Sequence, residues 1–227
     1  MQPLNRYIDH AVLKPDMTPN EANVAIELGV RLEVRTVCVR PCDIERATAL
    51  CRDTKTDVST VLAFPHGSGL STSKSQEAAE YAALGANEID MVANIGLIRA
   101  EDWNAFRKDI KPVAAASKAE SVLLKVILET ALLSPEQITQ CTRICAELGA
   151  DFVKTSTGFN GGGATFEAVA AMLEAADGTI KVKASGGIRT PEQARQFVEM
   201  GCHRLGVGFS TTPVLCGEAT KSSESDY

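Results

Sequence analysis

The stretch Leu148-Gly149-Ala150-Asp151-Phe152-Val153-Lys154 joins the end of a predicted helix to an apolar strand, and this arrangement recurs along the chain. A leucine or methionine followed by glycine stands a few residues before three other apolar runs. Glycine just past a helix supplies the left-handed C-cap that other residues resist. We therefore predict helix ends at four glycines: Gly29, Gly85, Gly149 and Gly201.

The predicted helices also begin in a common way. Three segments place a hydroxyl residue before a proline, with Glu or Gln three positions after the hydroxyl: Thr18-Pro19-Asn20-Glu21, Ser134-Pro135-Glu136-Gln137 and Thr190-Pro191-Glu192-Gln193. The hydroxyl caps the first turn, proline is tolerated at the first helical position, and the Glu or Gln can bond back to the cap residue. Each segment therefore predicts a helix start with a capping box.

The spacing of these signals sets the number of units. The four glycines lie roughly 50 to 65 residues apart, about two strand–helix units each, so the chain holds about eight units of about 28 residues. Strands alternating with amphipathic helices indicate a parallel sheet, and eight units close into an α/β fold of the (β/α)8 TIM-barrel type. We predict strands near residues 7–13, 36–40, 58–64, 88–94, 122–129, 152–157, 180–185 and 204–208.

A doubly wound open sheet is the alternative fold. It is disfavoured because no G-x-G-x-x-G turn follows the first predicted strand. We predict a single-domain barrel over residues 1–216, followed by a polar, mobile tail at residues 217–227 that is rich in Ser, Glu and Asp.

Composition excludes several classes of partner. The net charge of −6 argues against a nucleic-acid partner, and no apolar run approaches the ~20 residues that span a bilayer. The seven cysteines are scattered and the start of the chain has no secretory signal, which predicts a cytoplasmic protein with reduced thiols. The three histidines are far apart, so we expect no metal site.

Charged residues occupy the inward positions of the predicted barrel. Side chains alternate along a strand, and the apolar alternation of five strands leaves these facing inward: Asp9, Asp90, Lys125, Lys154 and Lys183. Burying so many charges costs several kcal/mol each unless they are paired or used. A buried salt-bridge network is one interpretation. An active site is favoured, because barrel sites form at the carboxyl ends of the strands.

Two of these residues indicate a particular chemistry. Lys154 and Lys183 are predicted at equal depth on adjacent strands, so their ammonium groups repel and one pKa must fall. A neutral lysine amine condenses with a carbonyl to give an imine, and Asp90 can then shuttle protons. A barrel isomerase or synthase, and a catalytically silent barrel that binds a sugar phosphate or a protein, remain as alternatives.

Glycine-rich turns follow the last strands. Ser185-Gly186-Gly187 and Gly206-Val207-Gly208 stand where barrels commonly present backbone N–H groups to a phosphate, although tight turns also need glycine. Cys38 is predicted to face inward beside the site, where it is either a small core residue or a thiol exposed to substrate.

The chain resembles the 2-deoxyribose-5-phosphate aldolases from about Tyr7 to Gly208. The matching motifs are Ile8-Asp9-His10 with Lys14-Pro15-Asp16, Val37-Cys38-Val39, Phe64-Pro65-His66-Gly67, Glu88-Ile89-Asp90-Met91-Val92, Lys125-Val126-Ile127-Leu128-Glu129-Thr130, Phe152-Val153-Lys154-Thr155-Ser156-Thr157-Gly158-Phe159 and Val182-Lys183-Ala184-Ser185-Gly186-Gly187-Ile188. The resemblance implies a class I aldolase without metal or cofactor, which reversibly cleaves 2-deoxy-D-ribose 5-phosphate to acetaldehyde and glyceraldehyde 3-phosphate.

The resemblance also implies residue roles. Lys154 matches the Schiff-base lysine, Lys183 the lysine that perturbs it, and Asp90 the proton-relay acid. The substrate-binding residues predicted with them are Asp9, Cys38, Lys125, Thr155, Ser185, Gly186, Gly187, Gly206 and Gly208. Tyr227 is predicted either to reach the site, as the terminal tyrosine of some relatives does, or to remain unattached. A homodimer is also expected.

The chain departs from the family pattern at two places. Ala11 stands where the family usually has threonine, and Gly208 and Phe209 replace a serine pair that helps to hold the phosphate. A hydrogen bond to a charged group is worth roughly 1.5–3 kcal/mol. We therefore hypothesise a weaker dependence on the phosphate and a better tolerance of non-phosphorylated or more apolar aldehydes.

Overall fold

The computed structural model describes residues 2–218, and these form a closed barrel of eight parallel strands in chain order. The strands are β1 (Ile8–Val12), β2 (Thr36–Val39), β3 (Asp57–Leu62), β4 (Glu88–Val92), β5 (Leu123–Ile127), β6 (Phe152–Lys154), β7 (Lys181–Ser185) and β8 (Arg204–Gly208). Because β8 pairs with β1, the predicted (β/α)8 barrel is confirmed and the open sheet is excluded. The tail beyond residue 218 and Tyr227 lie outside the described residues.

Helices connect successive strands, and a short helix follows β8. They are α1 (Pro19–Arg31), α2 (Ile44–Cys51), α3 (Ser71–Ala83), α4 (Ile95–Arg99), α5 (Trp103–Ala119), α6 (Pro135–Glu147), α7 (Phe166–Ala176), α8 (Pro191–Met200) and α9 (Thr212–Leu215). Several strands are shorter than predicted. β5 ends at Ile127 because Glu129 has a φ of 61°, a left-handed conformation that a strand does not accommodate.

The helix starts follow the predicted chemistry with one difference. Capping boxes form at Thr18 with Glu21 and at Ser134 with Gln137. At the start of α8, Thr190 accepts from the Gln193 backbone, but the Gln193 side chain accepts from the N–H of Arg189. The hydroxyl cap was therefore predicted correctly, and the reciprocal bond is displaced by one residue.

Three of the four predicted glycine caps are confirmed. Gly85, Gly149 and Gly201 have φ values of 103°, 80° and 115°. The prediction for Gly29 was wrong, because it lies inside α1. A β-carbon there would stand 2.7 Å from a methyl of Val37 and 3.0 Å from the His10 ring. Glycine is needed at this position because the backbone of α1 packs closely against β1 and β2.

The apolar core lies between the strands and the helices. Ile89 and Met91 of β4, and Leu124 and Val126 of β5, belong to it, as the alternation predicted. The opposite parity faces the barrel interior, where it is free to carry polar groups. Within residues 2–218, no helix is long and apolar enough to cross a membrane.

Candidate active site

A cavity of about 370 Å³ opens at the carboxyl ends of the strands, and its volume is within the range of small-ligand pockets. It is walled mainly by the segments that follow β6, β7 and β8. The structure brings nine of the predicted site residues to its lining: Asp9, Cys38, Lys154, Lys183, Ser185, Gly186, Gly187, Gly206 and Gly208.

Three predicted residues lie outside that lining. Asp90 and Lys125 are fully buried beneath it. The Thr155 hydroxyl donates to the carbonyl of Ser185 and accepts from its N–H, so this side chain joins β6 to β7. Its contacts are those of a residue that holds the two strands together.

The two lysines meet on one carboxylate oxygen. Lys154 and Lys183 are register partners on β6 and β7, as predicted. The Lys154 Nζ lies 2.7 Å from Asp90 Oδ2, and the Lys183 Nζ lies 2.8 Å from the same atom. Lys183 also donates to the carboxylate of Asp9. Both ammonium groups therefore compete for Asp90, while Lys183 has a second partner.

This competition separates the pKa values of the lysines. Burial lowers the pKa of Lys154, and the positive charge of Lys183 opposes the compensating effect of Asp90, so the net direction is downward. Burial also acts on Lys183, but the carboxylates of Asp9 and Asp90 raise its pKa above the ordinary lysine value. Of the two, Lys154 is the better nucleophile, since only an unprotonated amine attacks a carbonyl.

A second layer of charges lies below the lysines. The Lys125 Nζ is 2.6 Å from Asp90 Oδ1 and 2.7 Å from Glu88 Oε2. Arg204 holds both oxygens of Glu88 at 2.8 Å and contacts Asp9 at 3.2 Å. Glu88 and Arg204 were not predicted as site residues. A signal was present for Glu88, since it stands two residues before Asp90, which was predicted to face inward.

Glu129 organises the loop after β6. Its carboxylate accepts hydrogen bonds from the N–H and hydroxyl of Thr157 and from the Asn160 side chain at 2.8 Å. Thr157 lines the cavity. The left-handed backbone of Glu129 ends β5, and its carboxylate positions the loop that forms one wall of the cavity.

The turn after β8 supplies residues that sequence reasoning missed. Gly208 and Phe209 line the cavity, and so do Ser210 and Thr211, which follow them directly. Arg189, after the Gly186-Gly187 turn, is also part of the lining. Hydroxyl-bearing residues therefore remain at the cavity wall, displaced along the chain from the positions where the family pattern places them.

Gly206 lies between two site residues. A β-carbon at this position would stand 2.2 Å from the Ser185 hydroxyl oxygen, 2.8 Å from the Ser185 β-carbon and 3.3 Å from Lys183 Cε. The absence of a side chain therefore allows Lys183 and Ser185 to take their positions beside β8.

We expect Gly206→Ala to reduce kcat/KM by about 100-fold, because a displacement of about 1 Å at a reacting group can cost that much. Overpacking should also reduce the free energy of unfolding by about 1–3 kcal/mol. Steady-state kinetics and denaturant unfolding measure both effects. Gly69→Ala is the control, because its β-carbon would make only ordinary van der Waals contacts at 3.9 Å. Wild-type kinetics in Gly206→Ala would contradict this packing argument.

The fold and the site together define the class of the protein. It is a (β/α)8-barrel enzyme with a buried lysine of lowered pKa at the floor of its cavity. Among residues 2–218, no group of three or more His, Cys, Asp or Glu side chains is arranged to hold a metal ion.

Comparison with known proteins gives the family. The model of the DeoC/LacD family aldolases matches residues 5–219, and the chain belongs to this family of lyases. The deoxyribose-phosphate aldolase of Brevibacillus brevis is 40% identical over 219 residues, which cover 96% of this chain and 98% of that protein. The deoxyribose-phosphate aldolase of Enterococcus faecalis is 41% identical over 217 residues, 96% of this chain and 97% of the relative.

Solved structures of aldolases superpose on this chain. The aldolase QR15 superposes with a TM-score of 0.88 at 36% identity, covering 95% of each chain. The tetrameric deoxyribose phosphate aldolase from Aeropyrum pernix superposes with a TM-score of 0.85 at 27% identity, covering 93% of this chain and 89% of that one.

Proposed function

We propose that this chain is a class I aldolase that reversibly cleaves 2-deoxy-D-ribose 5-phosphate to acetaldehyde and D-glyceraldehyde 3-phosphate. The observation that carries the proposal is the position of Lys154, a buried lysine of lowered pKa that faces the cavity and contacts Asp90 at 2.7 Å. The names of the relatives at about 40% identity support the choice of substrate.

The first steps form an imine. The unprotonated Lys154 amine attacks the aldehyde carbon C1 of the open-chain sugar and gives a carbinolamine, which loses water to form an iminium. Water leaves only after its oxygen has been protonated. Asp90 contacts the Lys154 nitrogen and Lys183 contacts the same oxygen of Asp90, and we assign this transfer to the pair.

The iminium then accepts the electrons of the breaking bond. The C3 hydroxyl loses its proton, the C2–C3 bond breaks, and its electron pair passes into the iminium to give an enamine and glyceraldehyde 3-phosphate. Protonation of the enamine at C2 and addition of water release acetaldehyde and regenerate the lysine. Asp90, held between three lysine side chains, is the relay that we assign to these proton transfers.

We assign phosphate binding to the turns after β7 and β8. Gly186 and Gly187 have positive φ values and line the cavity beside Gly206 and Gly208. Successive backbone N–H groups of such turns bind anions, and Arg189 adds a permanent positive charge at the lining.

A direct assay tests the proposed function. Incubation with 2-deoxyribose 5-phosphate should release acetaldehyde and glyceraldehyde 3-phosphate in equal amounts, and the reverse reaction should consume them. Full activity in the presence of a chelator is expected for lysine chemistry. Failure to release acetaldehyde from this sugar at any pH between 6 and 9 would contradict the proposal.

The alternative is an aldolase of the same type with a weaker requirement for the phosphate, and Gly208 and Phe209 at the cavity lining favour it. We expect the double substitution of Gly208→Ser and Phe209→Ser to raise the preference for the phosphorylated sugar at least about tenfold, because a hydrogen bond to a charged group contributes roughly 1.5–3 kcal/mol. The measurement is the ratio of kcat/KM for deoxyribose 5-phosphate and deoxyribose in both proteins. An unchanged ratio, or a wild-type preference of several orders of magnitude, would refute the alternative.

We further infer a cytoplasmic homodimer. The seven cysteines are all free thiols, which suits a reducing compartment, and the Aeropyrum pernix relative is itself oligomeric. Light scattering coupled to size-exclusion chromatography gives the oligomeric state directly.

A further inference from the structure

Three carboxylates and four cationic side chains form one connected cluster inside the barrel. The members are Asp9, Glu88, Asp90, Lys125, Lys154, Lys183 and Arg204, and each is at most 6% exposed. Lys154 and Lys183 contact Asp90, Lys125 bridges Asp90 and Glu88, and Arg204 bridges Glu88 and Asp9. Full ionisation would leave the cluster with one uncompensated positive charge in a buried site.

Arg204 is the one cation in this cluster whose charge is fixed. A guanidinium does not lose its proton in a protein, whereas a buried lysine does so readily. Arg204 binds Glu88 through two parallel bonds of 2.8 Å, the geometry that guanidinium and carboxylate prefer. Neither residue lines the cavity, since each begins its strand and the cavity lies at the opposite strand ends.

Of the three lysines, Lys154 has the fewest carboxylate partners, so it is the one whose positive charge is least compensated. Lys125 lies within 4 Å of all three carboxylates, and Lys183 contacts both Asp9 and Asp90. Lys154 pairs with Asp90, which it shares with the other two lysines. The Cys38 thiol from β2 adds no charge near Lys154, because burial raises its pKa. Loss of the proton from Lys154 therefore leaves three cations facing three carboxylates.

We propose that the Arg204–Glu88 pair at the floor of the barrel determines which protonation state the reactive lysine adopts. Arg204 supplies a fixed third cation, so that Lys154 is the group left without a proton. Arg204 and Glu88 are positioning residues that act through Lys125, Asp9 and Asp90 and do not touch the substrate. The inference rests on the proposed function, which needs Lys154 as an unprotonated amine.

The test uses charge changes of opposite sign. The rate at which borohydride traps acetaldehyde on Lys154 is measured against pH for the wild-type protein, Arg204→Gln, Glu88→Gln and the double variant. Arg204→Gln should move the midpoint of this profile upward by about one pH unit, and Glu88→Gln should move it downward by a similar amount. The profile of the double variant should return close to that of the wild-type protein.

A merely structural role for the pair gives a different pattern. Loss of packing would lower the rate in both single variants without opposite displacements of the profile. Unmoved profiles, or displacements in one direction, would overturn the inference while leaving the Lys154 chemistry intact. No adduct on Lys154 of the wild-type protein would instead contradict the proposed function. If neither single variant folds, the double variant decides, and a profile far from wild type refutes the inference.

Discussion

Lys154→Met should lower kcat for cleavage of 2-deoxyribose 5-phosphate by at least about 10⁴-fold, because methionine has no amine to form the imine through which the C2–C3 bond breaks. Methionine fills a similar volume and carries no charge. The three remaining cations, Arg204, Lys125 and Lys183, still balance the charge of the three buried carboxylates. The loss should therefore be chemical, and the affinity for a non-reactive sugar phosphate should change little.

The stability of this variant separates chemistry from folding. The pKa of Lys154 is lower in the folded protein than the ordinary lysine value, mainly through burial. Such a group destabilises the fold at neutral pH, where the unfolded chain binds its proton more tightly, and the cost disappears as pH rises above about 10.5. Lys154→Met should thus keep or raise Tm. Lys118→Met, at an exposed site on α5, is the control with full activity. Residual activity within tenfold of wild type in Lys154→Met would contradict the assigned role.

Lys183→Met should lower kcat/KM at pH 7 by about 10²–10⁴-fold while leaving the Lys154 amine in place. Without the neighbouring ammonium, Lys154 no longer shares the oxygen of Asp90 with Lys183, so the pKa of Lys154 rises and its amine fraction at neutral pH falls. Activity should recover in part as the pH is raised toward 10. The pH dependence of kcat/KM in wild type and variant measures this.

The charge of Lys183 also contributes to stability. Its pKa is raised in the folded protein, where Asp9 and Asp90 outweigh the effect of burial. This contribution is present below about pH 10.5 and is lost as pH rises through the folded value. Lys183→Met should therefore reduce the free energy of unfolding at pH 7 by about 2–4 kcal/mol. This is somewhat less than the cost of breaking other buried ion pairs, because Lys154 then carries the positive charge. Lys183→Arg keeps the cation and is the matched control. A pH profile identical to wild type in Lys183→Met would refute the coupling.

Much of the fold was predictable because its signals are local. Alternation of strand side chains, hydroxyl and proline caps, and glycine after helices each report on a few neighbouring residues. Gly29 shows the limit of such signals. It follows a leucine, as Gly85 and Gly149 do, but glycine is needed there because α1 closely approaches Val37 and His10 from elsewhere in the chain.

Some features of the candidate site were likewise predictable from local patterns, and others were not. The alternation of side chains alone predicted that Asp9, Asp90, Lys154 and Lys183 face the barrel interior, because the direction of a side chain on a strand is a local property. Which cation pairs with which carboxylate depends on the stagger of the closed barrel, which no local pattern reports. The sequence therefore could not predict that Lys125 and Arg204 share Glu88, nor that Thr155 bonds to the backbone of β7.

The turn after β8 illustrates another limit. A motif comparison registers Gly208 and Phe209 as the loss of two hydroxyls, but the curvature of the turn brings Ser210 and Thr211 to the same cavity. Position in a motif and position in space differ wherever a loop is free to change its path.

Mass spectrometry of the protein reduced with borohydride in the presence of acetaldehyde tests the central claim most directly. Reduction converts the imine to a stable ethyl amine, and peptide mapping locates it. Our account predicts a single stoichiometric adduct on Lys154, abolished in Lys154→Met and slowed at pH 7 in Lys183→Met. An adduct on Lys183 or Lys125 in place of Lys154, or a fully active protein that forms no adduct, would contradict it.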